Sequence, residues 1–332
     1  MVAEIRLAQL EDVDEIMRFI HMNWKENHVL ARNKDFFLYE HQDKNAINYV
    51  LSLEDNKINA VLGFIKHSDS KSDIATVIWK ALQSNANSML GIKIFSFLRE
   101  HVNYNVLFSS GINAKTIGIY NYLEIYTNHL KQYVIINKDI QNFDILKVED
   151  IESIKPIKFI EDSQYDLIAL QEGKFKFDFN NQKYIPHKDE KYFVKRYFNH
   201  PIYNYIIYGV YKRGSLTSLI VTREVIVNNS KILRIVDYLG DEKDIPHITK
   251  KIYGIVVNGV YEYIDFICYG FDNKNLEKSG FTQINLDTTE IIAPNYFSPF
   301  VQKNIKINCM EDTKEMGRLR ICKADGDQDR PS

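Results

Sequence analysis

The stretch that decides the fold is residues 74–136, IATVIWKALQSNANSMLGIKIFSFLREHVNYNVLFSSGINAKTIGIYNYLEIYTNHLKQYVII. It reads as strand, loop, helix, strand, helix, strand. Residues 75–82 form an apolar run broken only by Thr76 and Lys80, short enough for a buried strand. Gly91 opens a helix in which Ile92, Ile94, Phe95, Phe97 and Leu98 keep helical spacing. Residues 106–108 give a second buried strand, Asn113 introduces a second helix over 116–123, and 130–136 is the third strand. The loop Asn87-Ser88-Met89-Leu90-Gly91, running into Ile92, sits at a helix N-terminus. Unpaired N–H donors and the helix dipole both favour an anion there.

Outward from this core, residues 4–8 read as a first strand, and Glu11-Asp12 cap a helix to residue 24 with Val13, Ile16, Met17, Phe19 and Ile20 inward. His28, in the next helical stretch, is a candidate substrate contact. Residues 47–53 and 58–66 form a hairpin around 54–57. The polar, acidic run 141–152 reads as a linker, which places a boundary near residue 140. Beyond it the pattern repeats: strands at 166–170, 205–211, 216–222 and 232–239, a helix at 245–257, a strand at 263–269, a short helix at 273–278 and then Gly280-Phe281. A further helix covers 190–199 and stops at His200-Pro201. The expected fold class is α/β (α+β): two units, 1–140 and 141–332, each a mixed, mostly antiparallel twisted sheet flanked by helices.

The order strand, phosphate loop, helix, strand, Asn, helix with a Tyr resembles the GNAT acyltransferases. That resemblance implies acetyl-CoA, or another acyl-CoA, as co-substrate. The backbone of Trp79, Lys80, Ala81 and Leu82 would pair with its pantetheine arm and, near Leu82, polarise the thioester carbonyl. Asn87 to Ile92 would hold its pyrophosphate, Asn113 matches the family's Asn, and Tyr120 falls where a general acid reprotonates the leaving thiolate. Two departures stand out. The loop pattern Arg/Gln-x-x-Gly-x-Gly/Ala reads Ala86, Met89 and Gly91 here, and Glu124-Ile125 replaces the Gly-Phe that ends the Tyr helix, so Tyr122 and Tyr126 remain rivals to Tyr120. In the second unit the equivalent loop is Gly240-Asp241-Glu242-Lys243-Asp244, whose three acids would repel a pyrophosphate. Only the first unit is expected to bind acyl-CoA, with the second given to acceptor recognition.

The stretch PNYFSPF (294–300) offers Tyr296 and Phe297 for stacking on a sugar or nucleobase. Together with the ending KADGDQDRP (323–331), it resembles bacterial tandem GNAT proteins described as surface-polysaccharide sugar acyltransferases. That resemblance implies a small-molecule amino sugar, often nucleotide-linked, as acceptor. Asp325, Asp327, Asp329 and Arg330 would then fold back onto it. The alternate aspartates lack the downstream Glu of a calcium loop, so no metal is expected. Candidates for taking the amine's proton are His28, Asp237, His247 and the terminal aspartates.

A formal net charge of -2 draws the chain to neither nucleic acid nor an anionic bilayer. It weighs against the alternative of a Fem-type aminoacyl-tRNA-dependent ligase, which is also built of two such units. A sugar-binding scaffold with a decayed CoA site is the non-enzymatic alternative. Three cysteines without CxxC spacing indicate neither disulfides nor zinc. There is no signal peptide and no apolar run of about 18 residues, so a cytoplasmic protein is expected, and a homodimer is compatible with the sequence.

Overall fold

The computed structural model describes residues 4–82, 89–152, 154, 156–315 and 317–331. The first unit runs β1 (Glu4–Gln9), α1 (Val13–Asn23), α2 (Val29–Arg32), α3 (Lys34–His41), β2 (Gln42–Asp43), β3 (Ala46–Glu54), β4 (Lys57–Lys66) and β5 (Asp73–Ala81). It continues with α4 (Leu90–His101), β6 (Val106–Ile112), α5 (Ile117–Tyr122) and β7 (Tyr126–Ile136). Helical spacing decides α1: Val13, Ile16, Phe19 and Ile20 share one face, all buried, against Phe36, Phe37 and Tyr49.

The second unit runs β8 (Lys147–Val148), β9 (Tyr165–Ala169), α6 (Glu190–Phe193), β10 (Ile206–Lys212), β11 (Ser215–Val227), β12 (Ser230–Leu239), α7 (Ile245–Asn258), β13 (Tyr263–Tyr269), α8 (Asn273–Lys278) and β14 (Thr282–Gln283). Then come β15 (Ile291–Ile292), β16 (Ile307–Thr313) and β17 (Ile321–Cys322). The expected helix over 190–199 is only partly α. From Val194 to Phe198 it widens into a π turn, which buries Arg196.

One sheet of 15 strands joins the two units, with β1-β3-β4-β5-β6-β16-β7-β13-β12-β11-β10-β9 as its path. Pairs are antiparallel except β5–β6 and β12–β13. The junction is β7: its first half, Tyr126 to Leu130, pairs with β16, and its second half, Lys131 to Ile136, with β13. Strand β16 also pairs with β6, so a strand from residues 307–313 lies inside the first unit's half of the sheet. The stretch 141–152 is not a free linker. Ile145 and Leu146 are buried, the Glu262 carboxylate accepts the N–H groups of Asp144, Ile145 and Leu146, and β8 pairs with β15. The acidic residues around them hid this short apolar segment.

The units repeat each other down to single residues. In each, the parallel pair is short, Asp73–Ala75 against Val106–Phe108 and Leu233–Ile235 against Ile264–Phe266, and the strands then part. Each first strand carries a bulge there. Ile78 is the unpaired residue between Val77 and Trp79, and Val236 the one between Ile235 and Asp237. Ile78 is held at φ 33, a conformation that β-branched residues rarely adopt. At the end of the following helix, Gly280 (φ 83) is matched by Glu124 (φ 59). The next residues, Phe281 and Ile125, are both buried, and their N–H groups return to Leu276 O and Tyr120 O. The first unit therefore keeps the left-handed cap without its glycine.

Candidate functional site

The gap where β5 and β6 part is the first half of the site. Leu82 N–H donates to Asn59 O (2.9 Å), so it is spent on the β4–β5 hairpin. By the alternation of an antiparallel ladder, Lys80 also faces β4, whereas the backbone groups of Trp79 and Ala81 face the gap. Trp79 donates from Nε1 to Gly91 O (3.1 Å), which ties β5 to the start of α4. A Cβ on Gly91 would meet Trp79 and Ala81 only at ordinary contact distance, 3.7–3.8 Å. The first turn of α4 has no acidic residue, as an anion site needs. Met89, Leu90, Gly91 and Ile92 lie at that turn, while Asn87 and Ser88 lie outside the described residues.

Tyr120 is buried against Trp79 and Phe95, with centroids at 5.5 and 5.8 Å. Burial pushes its phenol above the ordinary value, so proton transfer from it to a thiolate runs uphill. Its rivals Tyr122 and Tyr126 are exposed. Asn113 is a helix cap, its Oδ1 accepting Lys115 N–H (2.9 Å).

The corresponding gap of the second unit is filled by the chain's own C-terminal segment. Strand β17 pairs with β13, Cys322 opposite Cys268, and Ala324 N–H donates to the C=O of the bulged Val236 (2.9 Å). The acids of the second loop are likewise turned inward. Asp241 caps Lys243 N–H, Glu242 accepts Asp272 N–H and pairs with Arg320, and Asp244 accepts from Tyr165, Thr217 and Ser218.

Past β17 the segment crosses to the first unit. The Asp325 carboxylate is fully buried, 2.8 Å from Lys188 Nζ and 3.5 Å from His67 Nε2, and its C=O accepts from Ser110 Oγ on β6 (2.9 Å). Burial would raise this carboxyl, but Lys188 and His67 outweigh it and hold it at about 2. Lys188 also binds Asp237 (2.5 Å), which accepts from Tyr197 as well. Asp237, Cys322 and Asp325 come within 4.8 Å of one another, and the Lys188 ammonium already supplies the cation they share. Gln328 then packs on Gly111 of β6: a Cβ at that glycine (φ 81) would fall 2.0 Å from Gln328 Nε2.

The turn from β17 to Pro331 forms the floor of a cleft of about 710 Å³ between the units. His28, Tyr296, Phe297, Asp327, Asp329 and Arg330, all anticipated in the sequence, line it together. His28 Nδ1 accepts Leu30 N–H (3.3 Å), which leaves Nε2–H as a donor to the cleft. Burial, then Arg330, pulls the ring down to about 3, so it is neutral at physiological pH. Asp329 is buried, and Arg223 overcomes that burial to hold it at about 2. Its partners are Arg223 (2.6 Å) and Tyr205 (2.9 Å). Arg330 Nε lies 2.8 Å from Glu40. Tyr296 OH donates to Gln328 Oε1, and Arg234 lies 5.1 Å above the Phe297 ring. Asp327 is the least committed carboxylate of the floor, half-buried and bonded to Gln328 Nε2 (2.9 Å).

Three of the expected residues are not brought into this cleft. Asp237 and Asp325 are sealed around Lys188. His247 stacks on Tyr165 at 4.5 Å and pairs with Asp162 on the outer side of α7. The sequence reading missed Arg223, Arg234, Gln328 and Lys323. Their burial follows from where the segment docks, and nothing local announces it.

No protein-family model matches the chain, and no curated protein matches it. Solved structures do. A GCN5-related N-acetyltransferase from Anabaena variabilis ATCC 29413 superposes with a TM-score of 0.57 at 8% identity, over 93% of this chain and 72% of that one. A probable N-acyltransferase from Enterococcus faecalis V583 superposes with a TM-score of 0.55 at 10% identity, over 95% and 74%. At such identities the likeness is one of fold. The chain has the fold of the GCN5-related N-acetyltransferases, built twice in tandem.

Proposed function

We propose that this protein transfers an acyl group, acetyl by preference, from acyl-CoA bound in the first unit to the amine of an amino sugar bound in the cleft, the sugar being nucleotide-linked and destined for surface polysaccharide. The observation that carries the reading is the asymmetry of the two gaps. In the second unit β17 and Ala324 take the backbone bonds that a pantetheine arm would make. In the first, Trp79 and Ala81 leave theirs facing the gap, beside a helix start without acids.

The acyl-CoA supplies a thioester carbon open to attack. The chain's residues do the rest. Tyr296, Phe297 and the polar floor hold the sugar, and His28 donates to one of its hydroxyls. Asp327, one residue from the Gln328 that packs on β6, takes the amine's proton. The freed lone pair then forms the C–N bond, the C–S bond breaks with its pair leaving on sulfur, and the nitrogen loses its second surplus proton to solvent. Tyr120 donates a hydrogen bond toward the thiolate, which takes its proton from solvent.

A thiol-release assay with acetyl-CoA against a panel of nucleotide-linked amino sugars tests this. Turnover with one sugar is expected, falling about 10²–10⁴-fold in Asp327→Asn with acetyl-CoA binding unchanged. No turnover with any amine, together with no CoA binding, would sink the enzyme reading in favour of a scaffold.

A further inference from the structure

Lys323 is a buried cation of the cleft whose ammonium has no acceptor among the described residues. It is 2% exposed, and its Nζ has no hydrogen-bond partner, although it lines the cleft and lies 4.8 Å from the Tyr296 ring centroid. Its position is fixed on both sides, by Cys322 N–H to Asp325 Oδ2 (2.8 Å) and by Ala324 N–H to Val236 O (2.9 Å). Of its neighbours, Arg234 is fully committed and Arg223 only in part. Arg234 gives Nε and Nη2 to Asp265 and Nη1 to Asn295 O. Arg223 gives Nε and Nη2 to Asp329, which leaves its Nη1 outside that pairing, and it stacks on Tyr203 at 4.2 Å.

We propose that Lys323, with Arg223 beside it and the rings of Tyr296 and Tyr203 around it, is the docking point for a phosphate oxyanion carried by the acceptor. A buried amine that lines a cleft and lacks an acceptor is completed by an acceptor atom, and an oxyanion supplies one together with charge. The wall belongs to β11, β12 and the segment after β15, on the second unit's side. Gln328, bonded to Tyr296, packs on Gly111 of the first unit, and the sugar would lie between the docking point and that unit.

Groups facing Lys323 are Arg223 of β11, Arg234 of β12, Asp265 of β13, Tyr296 and Asp329. Burial, then Arg234, brings its amine down to about 7, with Asp329 and Asp265 opposing. An anion favours the charged form and must raise that value. Binding then takes up a proton above pH 7, and affinity falls up to about tenfold per pH unit from 7 to 9.

This inference rests on the cleft being the acceptor site but not on acyl transfer, so its test uses neither CoA nor turnover. Equilibrium dialysis of labelled sulfate, whose charge is constant over this range, is run at pH 6 to 9 on the full chain and on Lys323→Met and Lys323→Arg. Expected is saturable binding with that pH dependence in the wild type, at least tenfold weaker binding without pH dependence in Lys323→Met, and pH-independent binding in Lys323→Arg. Competition separates the sources: displacement by uridine diphosphate at lower concentration than by glucosamine 6-phosphate marks a nucleotide-linked phosphate, and the reverse a sugar phosphate. Absence of saturable sulfate binding, or the same affinity and pH slope in Lys323→Met, would overturn the docking point.

Discussion

The two units were built on one plan and put to different use, and the contrast lies in what fills the gap beyond each short parallel pair. Both have the bulge, the parting strands, the helix behind and the left-handed cap. In the second unit the gap holds β17, the loop acids are bonded inward, and the bulged carbonyl is taken by Ala324 N–H. In the first, the same segment bonds to β6 at Ser110 and packs on Gly111, while among the described residues no hydrogen bond joins it to Trp79 or Ala81 of β5. A duplicated fold can thus leave one gap open and close the other with its own chain.

The contrast is broken most severely by removing that chain. Truncation after Arg320 deletes Ile321, Cys322 and Ala324 from the second gap, together with the floor of the cleft. Burial of such side chains contributes roughly 1.5–3 kcal/mol each, so urea unfolding should show a loss on the order of 5 kcal/mol, and turnover should vanish. A less drastic break is Asp325→Asn, which leaves Lys188 with one carboxylate. Losing one partner of a buried pair costs about 3–5 kcal/mol.

Because Asp325 and Asp329 are held at about 2 in the folded chain, below their unfolded value of about 4, each stabilises the fold above pH 4. That contribution is lost as pH falls toward 2. An acid-unfolding series should show the wild type losing stability over that window and Asp325→Asn losing less of it. Smaller still is Tyr120→Phe. If the phenol only donates a hydrogen bond, the rate should fall less than about tenfold, whereas a larger loss would make it the proton donor. The smallest effect sharpens the likeness of the units: Glu124→Gly restores the residue type of Gly280 and should raise stability by about 0.5–1 kcal/mol by relieving a side chain at φ 59.

Much of this was legible in the chain. Period-two and helical spacing gave the β5–α4–β6–α5–β7 core and its repeat, because burial of one face imprints itself locally. The acids at 241–244 marked the second loop as different from the first, and they are bonded inward. The gap-filling was not legible. A two-residue strand such as β17 has no periodicity to read, and its partner Cys268 lies across a fold that only long-range packing assembles. The aspartates of KADGDQDR were expected to turn toward the acceptor, yet Asp325 and Asp329 are buried against cations from elsewhere, Lys188 and Arg223. The same long-range docking put β16 into the first unit and kept Asp237 out of the cleft.

The central claim, one working cofactor gap and one closed by the chain itself, is tested most directly by titrating the protein with acetyl-CoA in a calorimeter. Expected is a stoichiometry of one per chain, with binding weakened by Ala81→Pro, which removes a backbone donor from the first gap. Two sites per chain, or one site indifferent to Ala81→Pro, would contradict it.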